Sequence, residues 1–565
     1  MKRIYKNIIS IILIVLIGVG IYFTTSYSRK NLDKPMNNME NMDKSSQTEN
    51  TDNMPPEKPN ENNDDNVPPE KPDENGNMTK TEDNNQSQVK TVYKILISLE
   101  VLIEIFLVTY LIMSNFNSKT IKDTFINFDK ILIFILICLI FTIIIFFVID
   151  KMVSVNNFNN IGMGENQSSN ISYLAVKKIT SDEDITNDSL ESSNENENAL
   201  LVSGATSNIT NTVVTKSGSS DGGDNTSFYG INSAILAKDG ANITINNSTI
   251  TTDATGANGV FSYGGSATTE NSLSDGTTIN IKNTNIITKK DNSGGIMTTG
   301  GGVTNAENLT IETSGVSSAA IRTDRGGGTV TVNKGSYITN GAGSPVIYST
   351  ADVTVKNATL ISNASEGVII EGKNSVTLEN VTLTDSNSKL NGKSTTYKNI
   401  FLYQSMSGDA SSGTSTFTSK NSKITTDKGD TFFITNTTST INLENNTFIN
   451  NDKSGYFLRA TTSDWGSSDS NGGNVTLNLI NQNIEGNIYI DEISTLKINL
   501  SSSSYYEGYI NNENTAKNIS LTVDKTSKIK LTGDTYVTSF ENLDTTNSNI
   551  DFNGYKLYVN GNSIN

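Results

Sequence analysis

The chain contains no histidine and one cysteine, Cys138. The first absence removes imidazole acid–base chemistry and histidine metal ligation. The second removes intrachain disulfides. Cys138 sits inside an apolar run, so thiolate nucleophiles and cysteine-ligated zinc are excluded as well. Arginine is scarce, limited to Arg3, Arg29, Arg322, Arg325 and Arg459. Acidic residues number 59 against 42 Lys and Arg, a net charge of -17, which excludes nucleic acid as a partner because phosphate binding needs clustered bases. Tryptophan occurs once, at Trp465.

Proline is equally uneven. Of eight prolines, seven fall between residues 31 and 90, where PPEKP occurs twice, from Pro55 and from Pro68. A segment so polar cannot bury enough apolar surface to offset its conformational entropy, so residues 31–90 read as a disordered linker. Three apolar runs flank it: Ile8 to Phe23, Ile95 to Met113 and Ile131 to Ile149. Lys2, Arg3 and Lys6 before the first run mark a signal anchor over residues 1–30. The other two are long enough to cross a bilayer, giving a membrane hairpin over residues 91–152. Glu100 and Glu104 share one face of its first helix, and intramembrane carboxylates are costly and often functional. With Lys119, Lys122 and Lys130 in the cytoplasm, the linker and everything after residue 152 lie outside the cell. Residues 153–204 read as a second polar linker.

From about residue 205 the sequence repeats. VTVKNATLIS from Val353 and VTLENVTLTD from Val376 are the clearest units. Two apolar residues alternate across one polar residue, a polar bend follows, and a further apolar residue comes seven places after the first. Twelve rungs can be counted, beginning at Ile243, Ile279, Leu309, Val330, Val353, Val376, Phe417, Ile441, Val475, Leu496, Leu521 and Ile550. A period of two gives strands with one buried face, and a repeat this short has no room for crossover helices. Stacked coils pair each strand with its equivalent in the next coil. The best-formed coil has strands at Val353–Val355, Thr359–Ile361 and Val368–Ile370. Glycine often precedes the third strand, as at Gly259, Gly295, Gly367, Gly455, Gly486 and Gly508. Asparagine recurs four residues after the anchor, at Asn247, Asn283, Asn357, Asn380, Asn421 and Asn445, where a left-handed bend is expected.

The fold expected is therefore all-β: a right-handed parallel β-helix, a solenoid of about twelve coils over residues 205–565, preceded by three transmembrane helices and disordered linkers. The asparagine positions resemble the ladder of pectate-lyase-like right-handed parallel β-helices. The whole chain resembles membrane-anchored, adhesin-like surface proteins of anaerobic Gram-positive bacteria. That resemblance implies a place in the cell membrane, an extracellular β-helix, and a polysaccharide, cell-wall or host surface as ligand. It carries over no catalytic residues.

Aromatic side chains in loops are the candidate ligand contacts, because rings stack on sugar faces. Trp465 lies in the insertion TTSDWGSSDSNGG, Tyr505 and Tyr506 lie further on with Tyr509, and Tyr403 lies with Tyr397 and Phe401 in the long insertion read from Ser386 to Ser415. The alternative is a polysaccharide lyase or hydrolase, for which Arg322, Asp324 and Arg325 are the one tight charged group. No cofactor is expected. Asp221 and Asp224 offer oxygens to calcium but also suit a plain turn. The final repeat shows no cap, so self-association through an open strand edge is expected to compete with the monomer.

Overall fold

The computed structural model describes residues 171–220, 222–265, 274–391 and 394–565. All belong to the second of two units, Asn157–Asn565. The three expected membrane spans, the linker between them, Glu100, Glu104 and Asp221 lie outside the described residues. Among the described residues, no helix is long and apolar enough to cross a membrane.

From Leu174 onward the described chain is almost all parallel strand, stacked in three rows. The first row runs from Ile185–Thr186 to Ser539–Asn542 and the second from Ser189–Ser192 to Ile550–Asp551. The third begins at Leu174–Ile179 and continues through Ile488–Ile490 to Thr535–Val537 and Leu557–Val559. The period-two pattern explains each strand. In Asp352–Lys356 the side chains of Val353 and Val355 enter the core and Thr354 stays outside. One buried cluster runs from Ile179 to Leu557 through every coil. No coil could bury its apolar face alone, so the stack is stable only as a whole.

The sharp bend between the first and second rows carries a column of left-handed residues. Asn187, Asn211, Asn247, Asn283, Asn308, Asn357, Asn380, Asn421, Asn445 and Asn481 all have φ between 47° and 56°. Their amides link along the stack: Asn308 donates to Asn283 at 2.9 Å, Asn380 to Asn357 at 3.2 Å and Asn445 to Asn421 at 2.8 Å. All six asparagines singled out in the sequence belong to this column.

Three expectations need correction. The polar linker expected to run to residue 204 gives way to strands by Leu174, because Leu190, Leu200 and Val202 supply buried positions among the acidic and Asn residues. The first row therefore has fourteen strands rather than twelve. Some anchors were misaligned. Thr304, not Leu309, pairs with Ile279 and Val330, and Leu477 and Ile498 take the places given to Val475 and Leu496. Ile550 belongs to the second row. The two-residue offset at Leu477 and Ile498 keeps the alternation, so periodicity alone could not detect it. Gly259, Gly295 and Gly367, before their third strands, do not adopt the left-handed region. A Cβ at Gly295 would lie 2.5 Å from Ile311 Cγ2 and 2.6 Å from the Ala320 carbonyl, so lack of space selects glycine there. At the C-terminal end of the third row, Asn562–Ser563 turns back antiparallel onto Leu557–Val559.

Candidate functional site

The outward side chains of the first two rows are mostly Thr, Asn and charged residues. The third row differs. The middle outward residue of successive third-row strands reads Leu201, Leu236, Phe261, Met297, Arg322, Tyr348, Ile369, Phe401, Phe433, Arg459 and Tyr489. Tyr536 and Tyr558 continue it, stacked at 4.6 Å with their rings 3° apart. An apolar stripe outside a solenoid must be covered or must serve as a contact surface.

Its N-terminal third is covered. The short helix Asp224–Tyr229 places Phe228 and Tyr229 over Leu201, Leu236, Phe261 and Met297, with Ile171 and Tyr173 packed alongside. Its middle third is covered by loops. Tyr403 stacks on Phe401 at 4.5 Å, and Trp465 leans on Tyr403 at 5.1 Å. Ile369, Phe401, Tyr403 and Phe433 are thereby nearly closed to solvent, with Tyr348 and Trp465 half-buried around them.

A charged cluster borders this covered part. Asp324 accepts from Arg322 Nη2 at 3.0 Å and from the backbone N–H of Arg325 at 3.0 Å. The Arg325 guanidinium reaches Asp409 Oδ1 at 2.8 Å and lies 4.0 Å from the centroid of the Phe228 ring. Glu371 accepts from the hydroxyls of Tyr348 at 2.5 Å and Tyr403 at 3.0 Å, and from Ser405. Burial pushes the Asp324 carboxyl up to about 6, against the opposing pull of Arg322. Burial also raises Glu371, and the donated hydrogen bonds pull it back. Burial beside Glu371 drives the Tyr348 and Tyr403 phenols well above their usual range. Both arginines are thus committed to carboxylates, and Asp324 and Glu371 are almost fully buried. The group ties the loop carrying Ser405 and Asp409 to the stack.

Beyond Phe433 the stripe opens. Arg459 is held by Asp430, Nε to Oδ2 at 2.5 Å, and its guanidinium lies against two half-buried rings that also touch each other. The Tyr456 centroid is 4.5 Å away, the Tyr489 centroid 5.2 Å, and the two rings are 5.6 Å apart. Further along, Asn511, Asn514, Tyr536 and Asn560 line a hollow of about 270 Å³.

The residues expected from sequence separate clearly. Trp465 and Tyr403 come together, in the loop cover. Tyr505 lies on the second row, its hydroxyl on Glu507 at 2.8 Å. Tyr506 is a core residue, 0% exposed, with its hydroxyl on the Tyr509 carbonyl at 2.9 Å, so its ring is closed to a ligand. The strand alternation that places Tyr505 outside requires this of its neighbour. Phe401 lies in the stripe, and Tyr397 stands beside Lys428 at 3.6 Å. Asp224 opens the short helix, and among the described residues no group of acids is arranged to hold a metal ion. Tyr348, Tyr456, Arg459, Tyr489, Tyr536 and Tyr558 were missed. A signal existed for four of them: they are the centres of the third-strand triplets IYS, IYI, TYV and LYV.

No family model matches the chain, and neither the curated proteins nor the solved structures contain a match.

Proposed function

We propose that the stack is the extracellular part of a membrane-anchored surface protein, built as a right-handed, pectate-lyase-like β-helix that binds carbohydrate without chemically changing it. The observation that supports this most is the open part of the third-row stripe. Tyr456 and Tyr489 cluster with a guanidinium that Asp430 fixes in place, and the hollow by Tyr536 adds amides. Rings supply apolar faces for the C–H side of a sugar, and the arginine and asparagines supply donors and acceptors for its hydroxyls. Arg459, Tyr489 and Tyr536 are held on strands, so they lose little freedom on binding.

The lyase or hydrolase reading is weaker on the same geometry. It needs a free base and an accessible acid. Arg322 and Arg325 are engaged by Asp324 and Asp409, and Glu371 is surrounded by its three donors. The test is a glycan and wall-polymer array probed with residues 171–565, with and without calcium, alongside an assay for cleavage products. Binding without products is expected, and Tyr489→Ala should weaken it by about 3- to 10-fold, the usual worth of one aromatic contact. Tyr505→Ala should leave it unchanged. Product formation, or no binding to any polymer, would overturn the reading.

A further inference from the structure

The insertion at residues 386–397 starts and ends at buried charged groups. Asp385 closes the second-row strand Thr382–Asp385, and Lys398 opens the third-row strand Lys398–Tyr403. Glu366, two residues before Val368, faces Lys398, two residues before the paired Ile400, across neighbouring coils. Lys398 Nζ is 3.2 Å from Glu366 Oε1, with the two side chains only 5% and 7% exposed. The amine also donates to Ser394 Oγ at 2.8 Å and the Thr396 carbonyl at 3.2 Å, and it lies 4.7 Å from the Phe401 ring centroid. Asp430, opposite Lys398 on the other side, is already taken by Arg459.

Asp385 is the unusual member. Its column of inward residues is otherwise mostly hydroxyls that close the turn to the third row, such as Thr288 on the Ser293 carbonyl at 2.5 Å and Ser362 on the Ser365 carbonyl at 2.9 Å. Asp385 is 0% exposed. One oxygen accepts from the Asn387 backbone N–H at 3.0 Å, while Oδ2 is buried without a partner. Asn387 in turn donates its side-chain amide to the Lys398 carbonyl at 2.5 Å, tying the two ends of the insertion together. Burial, with the Glu366 charge adding to it, pushes the Asp385 carboxyl well above its ordinary range, and Lys398 opposes this. Burial therefore favours the protonated form of this carboxyl.

We infer that Lys398 and Glu366 condense into an intramolecular isopeptide bond, with Asp385 as the proton donor. The ammonium first passes a proton to the Glu366 carboxylate, leaving a neutral amine and a carboxylic acid. The amine nitrogen attacks the Glu366 carboxyl carbon, forming the C–N bond. Asp385 protonates the departing hydroxyl, which leaves as water, and the proton released from nitrogen returns to Asp385. Nothing is oxidised or reduced and no co-reactant is required. The step replaces two buried charges with one neutral amide, and buried charges are costly even when paired. The product would staple successive coils at the base of the 386–397 insertion. This inference does not depend on the carbohydrate reading.

The test is a peptide map of the full-length protein by tandem mass spectrometry. A branched peptide joining Lys398 to Glu366, lighter by one water than its two parts, is the expected result, with no tryptic cleavage after Lys398. Two separate peptides, with cleavage after Lys398, would overturn the inference. A branch from Lys398 to Asp385 would overturn the assignment of roles. Asp385→Asn should yield the unlinked peptides, and full linkage in that variant would remove Asp385 from the step.

Discussion

Lys216 shows what one residue can do to this core. It occupies the same inward column as Asp385, is 0% exposed, and donates to the Asn194 carbonyl at 2.6 Å. Burial lowers its amine to about 8, from 10.5 in the unfolded chain, with Glu197 and Glu195 opposing the shift. The unfolded state then binds more protons than the folded state between those values. Stability should rise as pH climbs through that window and fall again as pH drops through 8. Lys216→Met should remove this dependence and stabilise the protein at pH 7 by roughly 1–3 kcal/mol, given that each pKa unit is worth about 1.4 kcal/mol. Denaturant titrations of both proteins at pH 7 and pH 10 would check it. Equal pH dependence in the two would sink the argument.

The left-handed column offers a second residue-scale test. Lys334 holds φ 63° where its neighbours in the stack are asparagines, and it pays the Cβ penalty without the compensating amide. Lys334→Asn should raise stability by about 0.5–1 kcal/mol, the range expected for relieving a left-handed residue. A thermal midpoint that falls would contradict this.

At the scale of the element, the sequence disclosed strand alternation and the bend asparagines because both depend on local chemistry. Val353, Val355 and Asn357 each report their own environment. Register is a relation between coils, so Leu309 could be taken for an anchor although it sits opposite Gly335 at the corner. The outer stripe was hidden for a related reason. Third strands as short as Ile488–Ile490 give only one outward residue each, and a stripe appears only when coils are superimposed. The ring of Tyr489 is legible as a surface residue, but its placement beside Tyr456 and Arg459 depends on residues some thirty positions away in sequence. Glycine gives the element-scale prediction. Gly295→Ala would put a methyl against Ile311 and the Ala320 carbonyl, and overpacking of this kind costs about 1–3 kcal/mol. Gly276→Ala, with nothing near the added carbon but φ 92°, should cost less than that and only through its backbone. Reversal of that order in denaturant midpoints would show that space does not govern the third-strand glycines.

For the whole stack, the decisive property is that each strand pairs only with its equivalents in the adjacent coils. Val330 pairs with Val353, and Val353 with Val376, in the same register. Removing residues 353–375 deletes one full repeat and brings Val330 opposite Val376 with the alternation intact. In the third row the deletion sets Ile347 opposite Ile400, both core residues. It also removes Glu371, which frees Tyr348, Tyr403 and Ser405, and Glu366, which leaves Lys398 without its carboxylate. The shortened protein should keep the same β-sheet circular dichroism per residue and unfold at a lower midpoint. The loss should be concentrated around the residues 398–413 loop, which hydrogen exchange can localise. Collapse of protection throughout the stack would mean that the coils do not behave as independent neighbours. Retained protection on both sides, with glycan binding intact, would place the binding face beyond the deletion, where Tyr456, Arg459 and Tyr489 remain in register.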